Sequence, residues 1–353
     1  MRFYMVAIFL ILLTMAMTPI KSFSTSTLVP TPDALSAYQL GLMLYDEERY
    51  YAAEQHFTLA IRQQPEFTEA YYGRGLSRVA LKNYPDAVQD FTQVIRLNPS
   101  YVDAYHQRGW VLLMLENAET ALTDFNRAVE LQPRAAYLNS RGEAYVALGD
   151  TDAALEDFSL AIERDSEWLA AYLNRADIYA VSGEVDAALA DYNIALQLNP
   201  TSHDGLLGRA RLKVQTADYE AALVDCNRLL EIYPEDAEGL LLRAEAWVEL
   251  GNLNPALDDL NHLIEHLPSA QAYLLRARIF QESGALNRAL SDYNAALEYD
   301  PQNPEGLYRR GLLYIQLEET DSARKDLESF LESASEDDSR RSQVETLLGG
   351  LSN

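Results

Sequence analysis

The chain has little with which to do covalent or redox chemistry. It holds a single cysteine, Cys226, so no disulfide can form within it. Cys226 stands where other stretches place Phe or Tyr, which makes it a small core residue. No Gly-rich phosphate loop, nucleophile elbow or zinc-type cysteine and histidine spacing occurs. Lysine is nearly missing: Lys21, Lys82, Lys213 and Lys325 complete the set, and the remaining positive charge is arginine. Against 28 basic residues stand 54 acidic ones, a net charge of −26. Such a chain repels phosphate backbones, which argues against nucleic acid and in favour of basic partners.

Long apolar runs are also absent, with one exception. Arg2 is followed by the run Phe3–Met17, which is broken by Pro19 and Lys21, and residues 1–24 contain no acid. A charged start, an apolar core and small residues at Ser22 and Ser24 describe a secretory signal peptide. The run is slightly long for a signal core and slightly short for a spanning helix, so an uncleaved membrane anchor is the alternative. Either way the expected location is exported: cell envelope, periplasm or outside the cell. Residues 25–33 read as a Pro-bearing polar linker.

What is present in abundance is repetition. Ala53, Ala87, Ala121, Ala154, Ala188, Ala222, Ala256, Ala289 and Ala323 follow one another at steps of 33 or 34 residues. A second small residue keeps the same step: Gly41, Gly75, Gly109, Gly142, Ala176, Ala210, Ala244, Ala277 and Gly311. That period is the signature of a solenoid of stacked helix pairs. Each repeat carries two apolar helical patterns. Gly149, Gly183, Gly251 and Gly284 mark left-handed caps between the two helices. Pro65, Pro99, Pro133, Pro200, Pro234, Pro268 and Pro301 stop the second helix. The small positions allow the two helices to cross closely.

On these residues, for example Tyr71, Gly75, Ala87, Phe91, Val94 and Pro99, the chain resembles the tetratricopeptide repeat (TPR) family. The resemblance covers residues 34–337 as nine repeats: 34–67, 68–101, 102–134, 135–168, 169–202, 203–236, 237–269, 270–303 and 304–337. It implies an all-α, right-handed superhelical solenoid. Residues 338–353 are expected to add a capping helix, with Val344, Leu347 and Leu348 inward and Arg340 and Arg341 to solvent.

Repeats two to nine carry Arg before the first small residue (Arg74, Arg108, Arg141, Arg175, Arg209, Arg243, Arg276, Arg310). They carry Asp before the aromatic of the second helix (Asp90, Asp124, Asp157, Asp191, Asp225, Asp259, Asp292, Asp326). The first repeat lacks both, having Leu40 and His56, so the two groups are expected to pair within a repeat.

The resemblance implies a binding role, with the first helix of each repeat lining a concave groove. By register the groove residues are Tyr38, Leu42 and Tyr45, then Tyr72 and Leu76, then His106, Trp110 and Met114. Beyond them the same register turns charged at Glu143, Asp177, Arg211, Glu245 and Arg278, which suggests a solvent-facing surface with an apolar patch at one end. The basic clamp by which one family subtype holds a chaperone's C-terminal carboxylate has no counterpart at Tyr38, Leu42, Gly73, Asp103 and Gln107. The expected function is a non-enzymatic scaffold or adaptor that binds an apolar or amphipathic peptide with basic flanks and needs no cofactor and no metal. A membrane-tethered assembly factor is the alternative. A hydrolase or metal-dependent enzyme built on helices is the remaining class, with His262, His266, Glu265 and Asp259 as its nearest approach to a ligand set.

Overall fold

A computed structural model describes residues 30–351. The expected signal or anchor, 1–24, and linker residues 25–29 lie outside the described residues. Among the described residues the fold is all-α, with 19 helices and no strands: an all-α repeat solenoid. None of these helices is long and apolar enough to cross a membrane. The chain divides into two compact bodies, one ending at Pro200 and the other starting at Thr201.

The N-terminal body holds five helix pairs. They are α1 (Pro32–Asp46) with α2 (Tyr50–Gln63), α3 (Thr68–Ala80) with α4 (Tyr84–Leu97), α5 (Val102–Met114) with α6 (Ala118–Leu131), α7 (Ala135–Leu148) with α8 (Thr151–Arg164), and α9 (Leu169–Val181) with α10 (Val185–Leu198). The C-terminal body holds four pairs and a last helix. They are α11 (His203–Gln215) with α12 (Tyr219–Ile232), α13 (Ala237–Glu249) with α14 (Leu253–His266), α15 (Ala270–Glu282) with α16 (Leu286–Tyr299), α17 (Pro304–Gln316) with α18 (Thr320–Ser333), and α19 (Arg341–Gly350). Helix α1 starts at Pro32, inside the stretch read as linker, because Thr31 caps it by accepting from the Ala34 amide.

Second helices bury one stripe. In α2 it is Ala53, Phe57, Ala60 and Ile61, the i, i+4, i+7, i+8 spacing of an amphipathic helix. Several second helices end on an extended residue before a proline, such as Gln64 before Pro65 and Asn98 before Pro99, where the proline ring disfavours helical backbone. Between the two helices of every repeat one residue is left-handed. Glycine supplies it at Gly149, Gly183, Gly251 and Gly284, as the sequence indicated. Glu48, Lys82, Glu116, Ala217 and Glu318 adopt the same conformation without glycine, so the tight reversal is demanded by the packing of the pair.

The two small columns have a visible cause. A Cβ on Gly75 or Gly109 would lie 2.7 or 2.8 Å from the ring of Phe91 or Phe125, and one on Gly142 only 2.5 Å from that of Phe158. Glycine is therefore paired with Phe at Phe57, Phe91, Phe125 and Phe158, all fully buried. Where the second helix carries Cys226 or Leu260, the first helix carries Ala210 or Ala244. Tyr192 and Tyr293 also face alanines, and their hydroxyls donate to Asp177 and Gln281 of the first helix.

The arginine and aspartate columns pair within each repeat, as expected. Arg175 is representative: Nε and Nη2 donate to the two carboxylate oxygens of Asp191 at 2.7 and 2.9 Å. All eight aspartates are buried. The sequence did not reveal a third arm. Nη1 of Arg74, Arg108, Arg141 and Arg175 donates to Thr58, Thr92, Asn126 and Ser159 on the second helix of the preceding repeat. In the C-terminal body Arg243, Arg276 and Arg310 reach Asn227, Asn261 and Asn294 in the same way. Each arginine thus stitches two repeats. The first repeat has Leu40 there, and no preceding helix pair among the described residues.

Helix α19 packs Val344, fully buried, with Leu347 and Leu348 onto α17 and α18, as a capping helix should. The expectation that Arg340 and Arg341 face solvent is corrected. Arg340 bonds Asp338 and Glu305 and lies 5.2 Å from the ring centroid of Tyr308. Arg341 donates to the carbonyls of Leu331 and Ala334, which the end of α18 leaves free.

Candidate functional site

Within the N-terminal body the first helices α1, α3, α5, α7 and α9 form one face, and the eight expected groove residues all lie on its first three helices. The structure does not leave them open. Tyr38, Tyr45, Tyr72, Leu76 and Trp110 are buried, and only Leu42, His106 and Met114 stay partly exposed. They belong to one core cluster, against which Leu42, Leu113 and Met114 pack at the edge. The reason is the residue that opens each following repeat. Phe67 sits 4.9 Å from Tyr38 and Tyr101 sits 5.0 Å from Tyr72, ring to ring, and Tyr137 covers His106 in the same way. The aromatic set is a packed floor, and its accessible part is a lip of Leu42, His106, Leu113 and Met114. Burial raises the Tyr38 and Tyr72 hydroxyls well above the usual phenol range and lowers His106 to about 4, so these groups are neutral. His106 Nε2 is 2.9 Å from Ser140 Oγ, in the next repeat.

One member of the charged continuation of the register is corrected too, while Asp177, Arg211, Glu245 and Arg278 are partly exposed. Glu143 does not face solvent: it is 7% exposed, and its neighbour Asn139 is fully buried. Asn139 Nδ2 and Asn174 Nδ2 donate to Glu143 Oε1 at 2.8 and 3.2 Å, and Asn174 Nδ2 is also 3.1 Å from Asn139 Oδ1. Among the described residues Glu143 Oε2 has no partner, nor has Trp110 Nε1. Burial lifts the Glu143 carboxyl to about 7, with the two amides opposing it. Asn174 escaped the sequence reading. Its column runs Gln39, Gly73, Gln107, Ser140, Asn174 and Gly208 before turning to Leu242 and Leu275, and that polar or small run is the signal that marks it.

Elsewhere the chemistry is structural. His203 bonds Asp204 and Asp236, which raise it to about 10. Cys226 is fully buried, and burial pushes its thiol up to about 12, which leaves it unreactive. His262 pairs with Glu235 beside His266, and among the described residues no group of three or more His, Cys, Asp or Glu side chains is placed to hold a metal.

Comparison with known proteins agrees with this architecture. Two family models, both described as tetratricopeptide repeat, match the chain: one over 275–349, the other over 38–101, 72–136 and 139–203. No curated protein matches it. Among solved structures, a tetratricopeptide repeat protein from Parabacteroides merdae is 21% identical over 66% of this chain and 93% of its own, with a TM-score of 0.52. The Pseudomonas aeruginosa pilF protein is 18% identical over 60% of this chain and 97% of its own, with a TM-score of 0.54. At those identities the likeness is one of fold.

Proposed function

The chain belongs to the tetratricopeptide repeat family, whose arrays are protein-interaction scaffolds, and from that premise we propose that it is a non-enzymatic scaffold. It holds a segment of a partner protein against the first helices of its N-terminal body. The observation that carries this reading is the lip. Leu42, Leu113 and Met114 remain partly exposed beside a packed aromatic core, so an incoming apolar side chain finds a rigid floor and loses only solvent. The acidic chain around it attracts basic flanks and raises the encounter rate. An amphipathic segment with apolar anchors and basic neighbours answers both features.

The scaffold works outside the cytoplasm, delivered by the Phe3–Met17 run, either cleaved or kept as an anchor. A mature N-terminus near Thr25 supports cleavage and an intact Met1 in the membrane fraction supports the anchor; full-length protein free in the cytoplasm overturns both. For the binding face, a photo-crosslinking residue is placed at Leu42, at Met114 and, as control, at the exposed Tyr51 of α2. A defined protein adduct at positions 42 and 114 and none at 51 is the expected result. Adducts at 51 alone place the partner elsewhere and refute the reading.

A further inference from the structure

We propose that Glu143, with Trp110 beside it, is the seat of a basic side chain, arginine or lysine, carried by the partner segment. The proposal rests on the binding face described above and specifies its chemistry. Trp110 and Glu143 occupy the same repeat position in α5 and α7, two first helices in direct contact. The preceding members of that column, Leu42 and Leu76, are apolar, and the following ones, Asp177, Arg211, Glu245 and Arg278, are charged but partly exposed, so Glu143 alone is a buried charge there. A buried carboxyl without a counter-charge costs stability.

Its surroundings are half complete. Oε1 takes both amide donors, from Asn139 and Asn174, and these fix the carboxyl in one orientation. Oε2 takes nothing. Each of the eight buried ladder aspartates has an arginine, whereas among the described residues no arginine, lysine or histidine pairs with Glu143. A buried acid with a fixed orientation, a free acceptor oxygen and no counter-charge is complementary to a cation that arrives from outside. Trp110 supplies the other half: an indole face suits a guanidinium or ammonium group. An acidic residue of a partner would be repelled by the same carboxylate.

A related but more exposed arrangement is filled on the first-helix face of the C-terminal body, at Glu305, which also pairs with Arg309. Arg340 bonds Glu305 while its guanidinium lies against Tyr308, whose column is that of Tyr38, Tyr72 and His106. There the arginine belongs to the chain itself. At Glu143 the acid and the aromatic are present and the cation is not.

The test uses the full chain with 15N-labelled tryptophan, the Trp110 indole signal being identified by its loss in Trp110→Phe. N-acetyl-arginine amide is titrated in, with N-acetyl-citrulline amide and N-acetyl-glutamate amide as controls of similar size. The expected result is a saturable shift of the Trp110 indole proton with the arginine probe, at least tenfold weaker with citrulline and absent with glutamate. Glu143→Gln abolishes the shift while keeping the helical circular dichroism of the parent. Glu143→Leu also abolishes it, and its Tm equals or exceeds that of the parent, because leucine fills the same position at Leu42 and Leu76. A Trp110 signal unmoved by arginine, an equal response in Glu143→Gln, or a marked loss of Tm in Glu143→Leu each overturns the proposal. Crosslinking at Leu42 and Met114 reads the binding face separately, so a partner captured there with no arginine response refutes the cation seat alone.

Discussion

Adding one methyl group at Gly142 should weaken the fourth repeat, and removing part of Phe158 should repair the damage. The new Cβ would stand 2.5 Å from one ring carbon of Phe158 and 2.9 Å from two others, where comfortable carbon contacts begin at about 3.5 Å. Ring and helix must separate by about 1 Å. Phe158 cannot swing aside, since it is fully buried in a cluster with Leu138, Ala161, Ala171 and Ile178. Overpacking of this kind costs about 1–3 kcal/mol. The better helix propensity of alanine returns about 1 kcal/mol, so the net loss for Gly142→Ala is about 1–2 kcal/mol. Phe158→Leu alone leaves a cavity and costs on the order of 1 kcal/mol. Together the two changes recreate the pair that the seventh repeat already uses, Ala244 and Leu260, so the double variant should be more stable than the sum of the singles by about 1–2 kcal/mol. Repeat arrays need not unfold in one step, so the measurement is native-state amide exchange over α7 and α8, with thermal circular dichroism beside it. Gly149→Ala is the control. Its φ is +79° with nothing within 4 Å of a built Cβ, so its loss of about 1 kcal/mol is backbone strain and Phe158→Leu should not rescue it. Strict additivity of Gly142→Ala and Phe158→Leu would show that the small columns are not set by the facing ring.

Two further predictions concern charge. Arg175→Leu or Asp191→Leu alone strands a partner whose side chain is 5% or 19% exposed, at about 3–5 kcal/mol, whereas the double variant should lose far less than the sum of the two; a double loss equal to that sum would mean that the pair contributes nothing beyond its parts. His203 is raised in the fold to about 10 by Asp204 and Asp236, so its contribution is fully present below the unfolded pKa of about 6.5 and is lost as pH rises toward 10. Thermal melts of the parent should therefore fall over that range with a slope that His203→Gln removes, and parallel curves for the two would refute the linkage.

The repeat and its two small columns were legible in the sequence because the same packing problem is solved nine times with nearly the same residues. The left-handed turn was legible only where glycine marks it. Glu48, Lys82, Glu116, Ala217 and Glu318 carry no such mark, since their conformation is imposed by helices already held in place. The arginine and aspartate pairs were legible from their joint loss in the first repeat, but the arm to Thr58 or Ser159 was not, because that column mixes Thr, Asn and Ser. The first-helix face was misjudged as open. Periodicity tells which residues share a face and is silent on how closely neighbouring faces approach. That distance decided the outcome for Tyr72, which Tyr101 covers, and for Glu143, which the amides of Asn139 and Asn174 enclose. Arg340 and Arg341 were misplaced because they lie beyond the last full period, where no column assigns them a role.

The third arm of each ladder arginine gives the array a direction in time. A polypeptide is made from its N-terminus, and Arg175 finds its Nη1 acceptor, Ser159, 16 residues upstream and its aspartate 16 residues downstream. A newly synthesised repeat therefore needs only what has already emerged plus its own second helix. It never waits for a distant part of the chain. At every stage of growth the last aspartate is neutralised from within its repeat. In this ladder the edge left bare offers water only a hydroxyl or an amide, groups that cost little to leave hydrated. Assembly can thus advance one helix pair at a time behind the ribosome, without an unpaired ladder aspartate at any intermediate length.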